Sequence, residues 1–303
     1  AASDLGTFFT LTATVQASTD EVPVVFNLGY RDAAGNSGAS EVTATSDGST
    51  VTVDRNAQSL VQALTVGSSN PEDGQYAKEG ETITVNLEMK EAVPAAPAVV
   101  IAGLAAAVAA ATPMGTAEGL HWKATVVVPP ASADTPGDEG VAAILVDWVD
   151  AAGNADRGTG TTDGSQVTVD RQPPSAFSQV VLTADNPHGL VGPGTDVSLL
   201  LTRTAAGDLG GDPTVTLCGR DVAVTRKSDK TFSVLLKACG TPTGDIDCSE
   251  WEDGNCGVSV FFWDAAGNSR HQTVPTNENS ELVVDVTPPL ALADGKAANP
   301  KTR

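Results

Sequence analysis

One feature constrains this chain more than any other. The pentapeptide Asp-Ala-Ala-Gly-Asn occurs three times, beginning at Asp32, Asp150 and Asp264. Each copy follows an apolar run, 24–31, 143–149 and 258–263. Downstream of each comes a second shared element: Val51-Thr-Val-Asp-Arg, Val167-Thr-Val-Asp-Arg and Leu282-Val-Val-Asp-Val. Successive copies of the first element lie 118 and 114 residues apart, and those of the second 116 and 115. Two independent landmarks with one period mark a tandem array whose units are each of domain size.

The period sets the boundaries. One complete repeat is expected over 56–171 and another over 172–286. Residues 1–55 match only the C-terminal half of a repeat, and 287–303 read as a linker and the opening of a further one. Half the strands of a domain cannot close a core, so the chain reads as a segment of a longer protein.

Within a repeat, apolar residues alternate with a period of two, as a half-buried strand requires. In the run from Trp122 to Val128, positions 122, 124, 126 and 128 are expected inward; the matching set is 232, 234, 236 and 238. Before the pentapeptides, the inward sets are Phe26, Leu28 and Tyr30, then Ile144, Val146 and Trp148, then Val258, Val260 and Phe262. An aromatic two residues before each Asp is the mark of a core position. Strands in the first complete repeat are predicted at 59–68, 81–90, 98–103, 107–111, 120–128, 141–149 and 165–170. Turn signals such as Asn70-Pro, Glu79-Gly, Pro129-Pro and Gly153-Asn separate them. Seven short strands without a helical pattern describe an immunoglobulin-like sandwich. The expected fold is therefore all-β: tandem immunoglobulin-like β-sandwiches arranged as an elongated rod. Short linkers support the rod, since Arg171-Gln-Pro-Pro and Thr287-Pro-Pro leave little slack. Arg55-Asn-Ala-Gln lacks the prolines and is expected to bend more easily.

A set of segments carries a family resemblance: Tyr76-Ala-Lys-Glu-Gly-Glu-Thr-Ile-Thr-Val, Val100-Ile-Ala-Gly, Trp122-Lys-Ala-Thr, Asp150-Ala-Ala-Gly-Asn and Asp163-Gly-Ser-Gln-Val-Thr-Val-Asp-Arg-Gln-Pro-Pro. Together they resemble the bacterial-type immunoglobulin-like tandem repeats of large extracellular proteins. The resemblance spans essentially the whole chain and implies adhesin stalks, or flagellar-surface and mastigoneme-like filament proteins of algae and other protists. Those repeats usually lack cysteine, whereas this chain has four between Cys218 and Cys256. That departure tilts the expectation toward a eukaryotic microbial surface protein.

Charge narrows the partners. A formal net charge of −21 repels nucleic acid, which needs a basic surface for counterion release. Two uses of the acidity stay open: solubility of an exposed surface, or carboxylates that hold Ca²⁺. The most apolar stretch, 92–111, is Ala-rich and interrupted by Pro94, Pro97 and Gly103, so no membrane-spanning segment is expected. No signal peptide is visible at the N-terminal Ala1-Ala-Ser-Asp-Leu. Four clustered cysteines point to disulfides in an oxidising, extracellular compartment.

The candidate sites follow from the repeat. Each Asp-Ala-Ala-Gly-Asn is first a turn: Asp accepts backbone N–H groups, Gly supplies a positive φ, and Asn tolerates the left-handed region. The alternative is topological. In a sandwich of this kind the loop between the last two strands lies beside the junction with the preceding domain, whose last strand ends in Asp54 or Asp170. Asp54 is then expected near Asp150 and Asn154, and Asp170 near Asp264 and Asn268, as possible calcium ligands at the junctions. Calcium would be the one cofactor; none is required.

Cys218, Cys239, Cys248 and Cys256 allow three connectivities, of which 218–239 with 248–256 is preferred. Cys218 and Cys239 are both expected to point outward. Trp251, in the acidic loop 245–255, is the expected partner-binding anchor. Three histidines, His121, His188 and His271, stand in non-equivalent places with no catalytic spacing, and nothing singles out two of the 38 acidic residues, so no enzyme is expected. The expected role is a structural repeat of a cell-surface or flagellar filament protein, partnered by copies of itself or other filament proteins. The alternatives are an adhesin whose loops bind a glycan or a protein, and, more remotely, an ancillary domain of a secreted hydrolase.

Overall fold

A computed structural model describes residues 9–16, 19–55, 61–111, 120–131, 139–207, 209–237, 251–273 and 282–287. The alternation is realised as strands. In Thr82–Met89 the side chains of Ile83, Val85, Leu87 and Met89 are buried while Asn86 faces out. β-branched residues dominate such segments, where they pack well on a pleated surface.

The first complete repeat contains β1 (Val61–Ser68), β2 (Tyr76–Ala77), β3 (Thr82–Met89), β4 (Ala98–Ile101), β5 (Leu104–Ala105), β6 (Ala107–Ala110), β7 (His121–Val127), β8 (Gly140–Val141), β9 (Ile144–Val149), β10 (Ala155–Thr159) and β11 (Thr168–Val169). The second contains β12 (Gln179–Ala184), β13 (Leu190–Val191), β14 (Asp196–Thr202), β15 (Thr214–Leu217), β16 (Arg220–Val222), β17 (Val224–Ser228), β18 (Thr231–Lys237), β19 (Gly254–Asn255), β20 (Val258–Trp263), β21 (Ser269–Gln272) and β22 (Val283–Val284). Sheets β1-β3-β7-β6 and β10-β9-β4-β5 of the first repeat reappear in the second as β12-β14-β18-β17 and β16-β15-β20-β21. In both repeats a short third sheet runs the last strand parallel to the short strand that follows the first, as β2-β11-β8 and β13-β22-β19. No strand is exchanged between the repeats among the described residues. The chain is thus all-β, with two immunoglobulin-like sandwiches in tandem.

Each sandwich buries one core. The first is built on Leu64, Ile83, Val85, Ile101, Val146 and Trp148. The second is built on Leu199, Leu201, Leu217, Phe232, Val260 and Phe262, with Phe177 edge-on to Phe232 and Phe262 at 6.0 and 4.8 Å.

Most expected inward positions are inward: Ala124, Val128, Ile144, Val146, Trp148, Phe232, Val234, Leu236, Val258, Val260 and Phe262 are buried. Trp122 and Val126 are half-buried against the same core, and position 238 lies outside the described residues. Phe26, Leu28 and Tyr30 depart from the pattern, at 41%, 41% and 55% exposure. Their segment makes only the isolated bridges Pro23–Thr52, Leu28–Val42 and Arg31–Ser37, with no opposing sheet among the described residues to cover them. Strands β2, β5 and β10 were not anticipated. The first two are two residues long each, and the third, Ala-Asp-Arg-Gly-Thr, has no apolar alternation because it is held by pairing to β9 rather than by burial.

Candidate functional site: the junctions between repeats

All three pentapeptides fold into one turn. In the second copy Asp150 Oδ1 accepts the N–H groups of Ala152 and Asn154, both at 2.9 Å, and Oδ2 accepts Asn154 Nδ2 at 2.9 Å. Gly153 closes the turn with its N–H on Asp150 O at 3.2 Å and a φ of 93°, which a side chain would strain. The copies at Asp32 and Asp264 repeat this, with Asn36 and Asn268 placing both N–H and Nδ2 on their aspartates. Burial raises the Asp150 carboxyl, but the hydrogen bonds of Asn154, Ala152 and Gly153 together outweigh it and hold the group below its usual range. The exposed Asp32 is held low chiefly by Asn36.

The same turns lie at the junctions. Asn268 Nδ2 donates to Asp170 O at 2.9 Å, bridging the end of one repeat to the turn of the next. Asn154 Nδ2 reaches Asp54 O and Oδ1, both at 3.4 Å. The topology therefore brings Asp54, Asp150 and Asn154 together, and Asp170, Asp264 and Asn268 together. What Asp170 contributes is its main-chain carbonyl, since its Oδ1 accepts the N–H of Gln172 at 3.0 Å. The asparagines meet their aspartates with amide N–H donors, where a cation needs oxygen. As arranged, these residues form hydrogen-bonded turns, and no group of three or more His, Cys, Asp or Glu placed to hold a metal occurs among the described residues.

Sequence reasoning missed the strongest contacts of the junction between the two complete repeats. Asn70, two residues past β1, turns its Oδ1 to the N–H of Glu72 at 2.9 Å and its Nδ2 to Ala266 O at 2.9 Å. Both residues are buried, Asn70 at 6% and Ala266 at 0% exposure. Lys78 Nζ donates to Gly267 O at 2.9 Å. One repeat thus grips the two successive carbonyls of the next repeat's turn. The linker is clamped as well: Arg171 Nε pairs with Glu139 at 2.8 Å from one side, and Arg270 Nε donates to Pro174 O at 2.6 Å from the other. The available signal was Asn-Pro, which recurs at Asn70-Pro71 and Asn186-Pro187, 116 residues apart, within the period of the repeat.

The cysteines correct the sequence reading. Cys218 is bonded to Cys256, not to Cys239, so neither preferred pair forms. The cause is register: Leu217 pairs with Val258 across β15 and β20, so residues just beyond that rung face each other, whereas β18, which leads to position 239, belongs to the opposite sheet. Cys239 and Cys248 lie outside the described residues. Nor does Cys218 point outward, because its φ of 49° breaks the alternation and turns it toward the core. Ala102 holds the equivalent position with a φ of 50°.

Trp251 is likewise corrected. It is 7% exposed and part of the core, with the Arg220 guanidinium 5.1 Å from its ring centroid, and does not stand out as an anchor. Ser259 Oγ and His271 Nε2 are 2.7 Å apart, an encounter the sequence did not announce, but on an exposed strand face rather than in a cleft.

No family model matches the chain, and no curated protein is significantly similar to it. Among solved structures, a chain from a 1.5-MDa bacterial ice-binding adhesin is 18% identical, with 89% of this chain and 77% of that one covered and a TM-score of 0.42. A chimeric titin Z1Z2 is 17% identical over 75% of this chain and 99% of its own, with a TM-score of 0.23. The major pilin subunit of Bacillus cereus is 11% identical over 84% and 80%, with a TM-score of 0.20. In each, the chains agree only loosely in overall arrangement.

Proposed function

We propose that this chain is a non-catalytic segment of an extracellular cell-surface or filament protein, in which immunoglobulin-like repeats serve as stiff spacers that pack into an assembly. The observation that carries this reading is the junction between the two complete repeats. Asn70 and Lys78 hold the carbonyls of Ala266 and Gly267, Asn268 holds that of Asp170, and Arg171 and Arg270 pin the linker from both sides. A linker of a few residues, bridged by three cross-repeat hydrogen bonds and pinned to the repeat on each side, resists bending, which is what a stalk or filament needs. The disulfide Cys218–Cys256 fits an oxidising, extracellular setting. Partners would be further copies of the repeat or other filament proteins.

Negative-stain electron microscopy with small-angle scattering tests the reading. A narrow distribution of angles at the second junction, lost in N70A/K78A, supports it. A freely jointed particle with the same angular spread in wild type and variant overturns it.

A further inference from the structure

The second complete repeat carries, at its far pole, the same device with which the first grips its successor. Asn186 stands two residues past β12 as Asn70 stands two past β1, and each is followed by proline. Asn186 Oδ1 accepts the N–H of His188 at 2.9 Å, as Asn70 Oδ1 accepts that of Glu72 at 2.9 Å. Beyond each loop comes the short strand that pairs in parallel with the last strand of its own repeat, Leu190–Val191 with Val283–Val284 and Tyr76–Ala77 with Thr168–Val169. That pairing sets the end of the last strand beside the loop. Asp285 N donates to Val191 O at 3.0 Å, and Asp170 N to Ala77 O at 3.0 Å. The two anchor groups of the observed junction, an asparagine amide and an aspartate main-chain carbonyl, are therefore present again in the same frame. Asn70 is buried under the neighbouring turn, whereas Asn186 is only half-buried.

We propose that Asn186 and the Asp285 carbonyl form a docking surface for an Asp-x-x-Gly-Asn turn on another immunoglobulin-like repeat of this type. The amide of Asn186 takes the carbonyl of the third residue of that turn, as Asn70 takes that of Ala266. The asparagine of the turn donates to Asp285 O, as Asn268 donates to Asp170 O. Register also shows what differs. Ala77 corresponds to Val191, so Lys78 corresponds to Gly192 and the cationic second anchor is missing. Docking at this pole is thus weaker than at the first by one charge-assisted hydrogen bond. The inference rests on the stacking reading above and names the residues that would extend it.

The test extends the full chain after Pro289 with a duplicate of its own residues 175–286, and follows exchange of the Asn70 and Asn186 side-chain amide protons by NMR in one sample. A newly buried hydrogen bond worth about 1 kcal/mol slows exchange roughly fivefold or more. The expectation is that Asn186 exchange slows by this factor relative to the unextended chain. If Asn70 is protected and Asn186 exchanges as in the unextended chain, the docking proposal falls and the stacking reading stands. If neither is protected, both fall.

Discussion

Replacing Asn70 separates what the residue does for its own loop from what it does for the neighbouring repeat. Its Oδ1 serves the loop, accepting the N–H of Glu72 at 2.9 Å and of Asp73 at 3.3 Å. Its Nδ2 serves the junction, donating to Ala266 O at 2.9 Å where Ala266 is fully buried. N70A removes both functions. Leaving the Ala266 carbonyl buried without its donor costs about 1–3 kcal/mol, and losing the turn acceptor about another 1 kcal/mol. N70D keeps an acceptor of the same shape for the turn and sets an oxygen against the carbonyl, so its whole cost, again about 1–3 kcal/mol or somewhat more, falls on the junction. The assay is urea unfolding of the full chain at neutral pH, combined with amide exchange resolved to the segment around Ala266–Asn268. N70D should speed exchange of that segment by roughly fivefold to a hundredfold while leaving β3 and β14 unchanged. If N70D matched wild type within about 0.5 kcal/mol and left the turn's exchange unaltered, the junction bond would carry no coupling and the reasoning would fail.

Four further outcomes are expected. Gly210 donates to Trp263 O at 2.9 Å, and a Cβ there would collide with the Asp264 carbonyl and lie 2.7 Å from the Trp263 ring, so G210A should destabilise the second complete repeat by about 1–3 kcal/mol in a denaturant titration, with the first repeat unaffected. Replacing Cys218 and Cys256 together by serine opens a loop of 38 residues and should cost the same repeat about 3–4 kcal/mol, read as a lowered melting temperature in that repeat alone. Because the folded Asp150 carboxyl is held below its ordinary value, its contribution is present above about pH 4 and lost as pH falls through the folded pKa; acid unfolding of the first complete repeat should show this, and D150N should flatten it. Since Asn154 and Asn268 meet their aspartates with N–H donors, millimolar calcium added after chelation should leave the melting temperature of the chain unchanged within about a degree, and a rise of several degrees would place an ion at the junction.

Much of this molecule is legible from periodicity alone. The spacing of Asp150 and Asp264 and the alternation in Ile144–Val149 and Val258–Trp263 are local patterns, and a strand with one buried face can satisfy them in only one register. The pentapeptide also encodes its own turn, because Asp, Gly and Asn complete the hydrogen bonds within five residues. The same residues at Phe26–Tyr30 show the limit of such reasoning: alternation states which side is meant to be inside, but burial needs a second sheet.

What only the tertiary structure decided involves partners distant in sequence. Cys218 meets Cys256 because β15 and β20 are neighbours and because Cys218 takes a left-handed backbone conformation, neither of which period-two alternation encodes. Trp251 is buried because the core of its repeat closes over it, although its neighbours in sequence are acidic and polar. Asn70 and Ala266 stand 196 positions apart, and no local pattern links an amide at the end of one sandwich to a carbonyl in the turn of the next. Sequence alone determined the repeat, the strands and the turn, since each is closed by short-range sterics and hydrogen bonds. Stacking of whole domains, which brings main-chain carbonyls under side chains from the repeat before, determined how one unit holds the next.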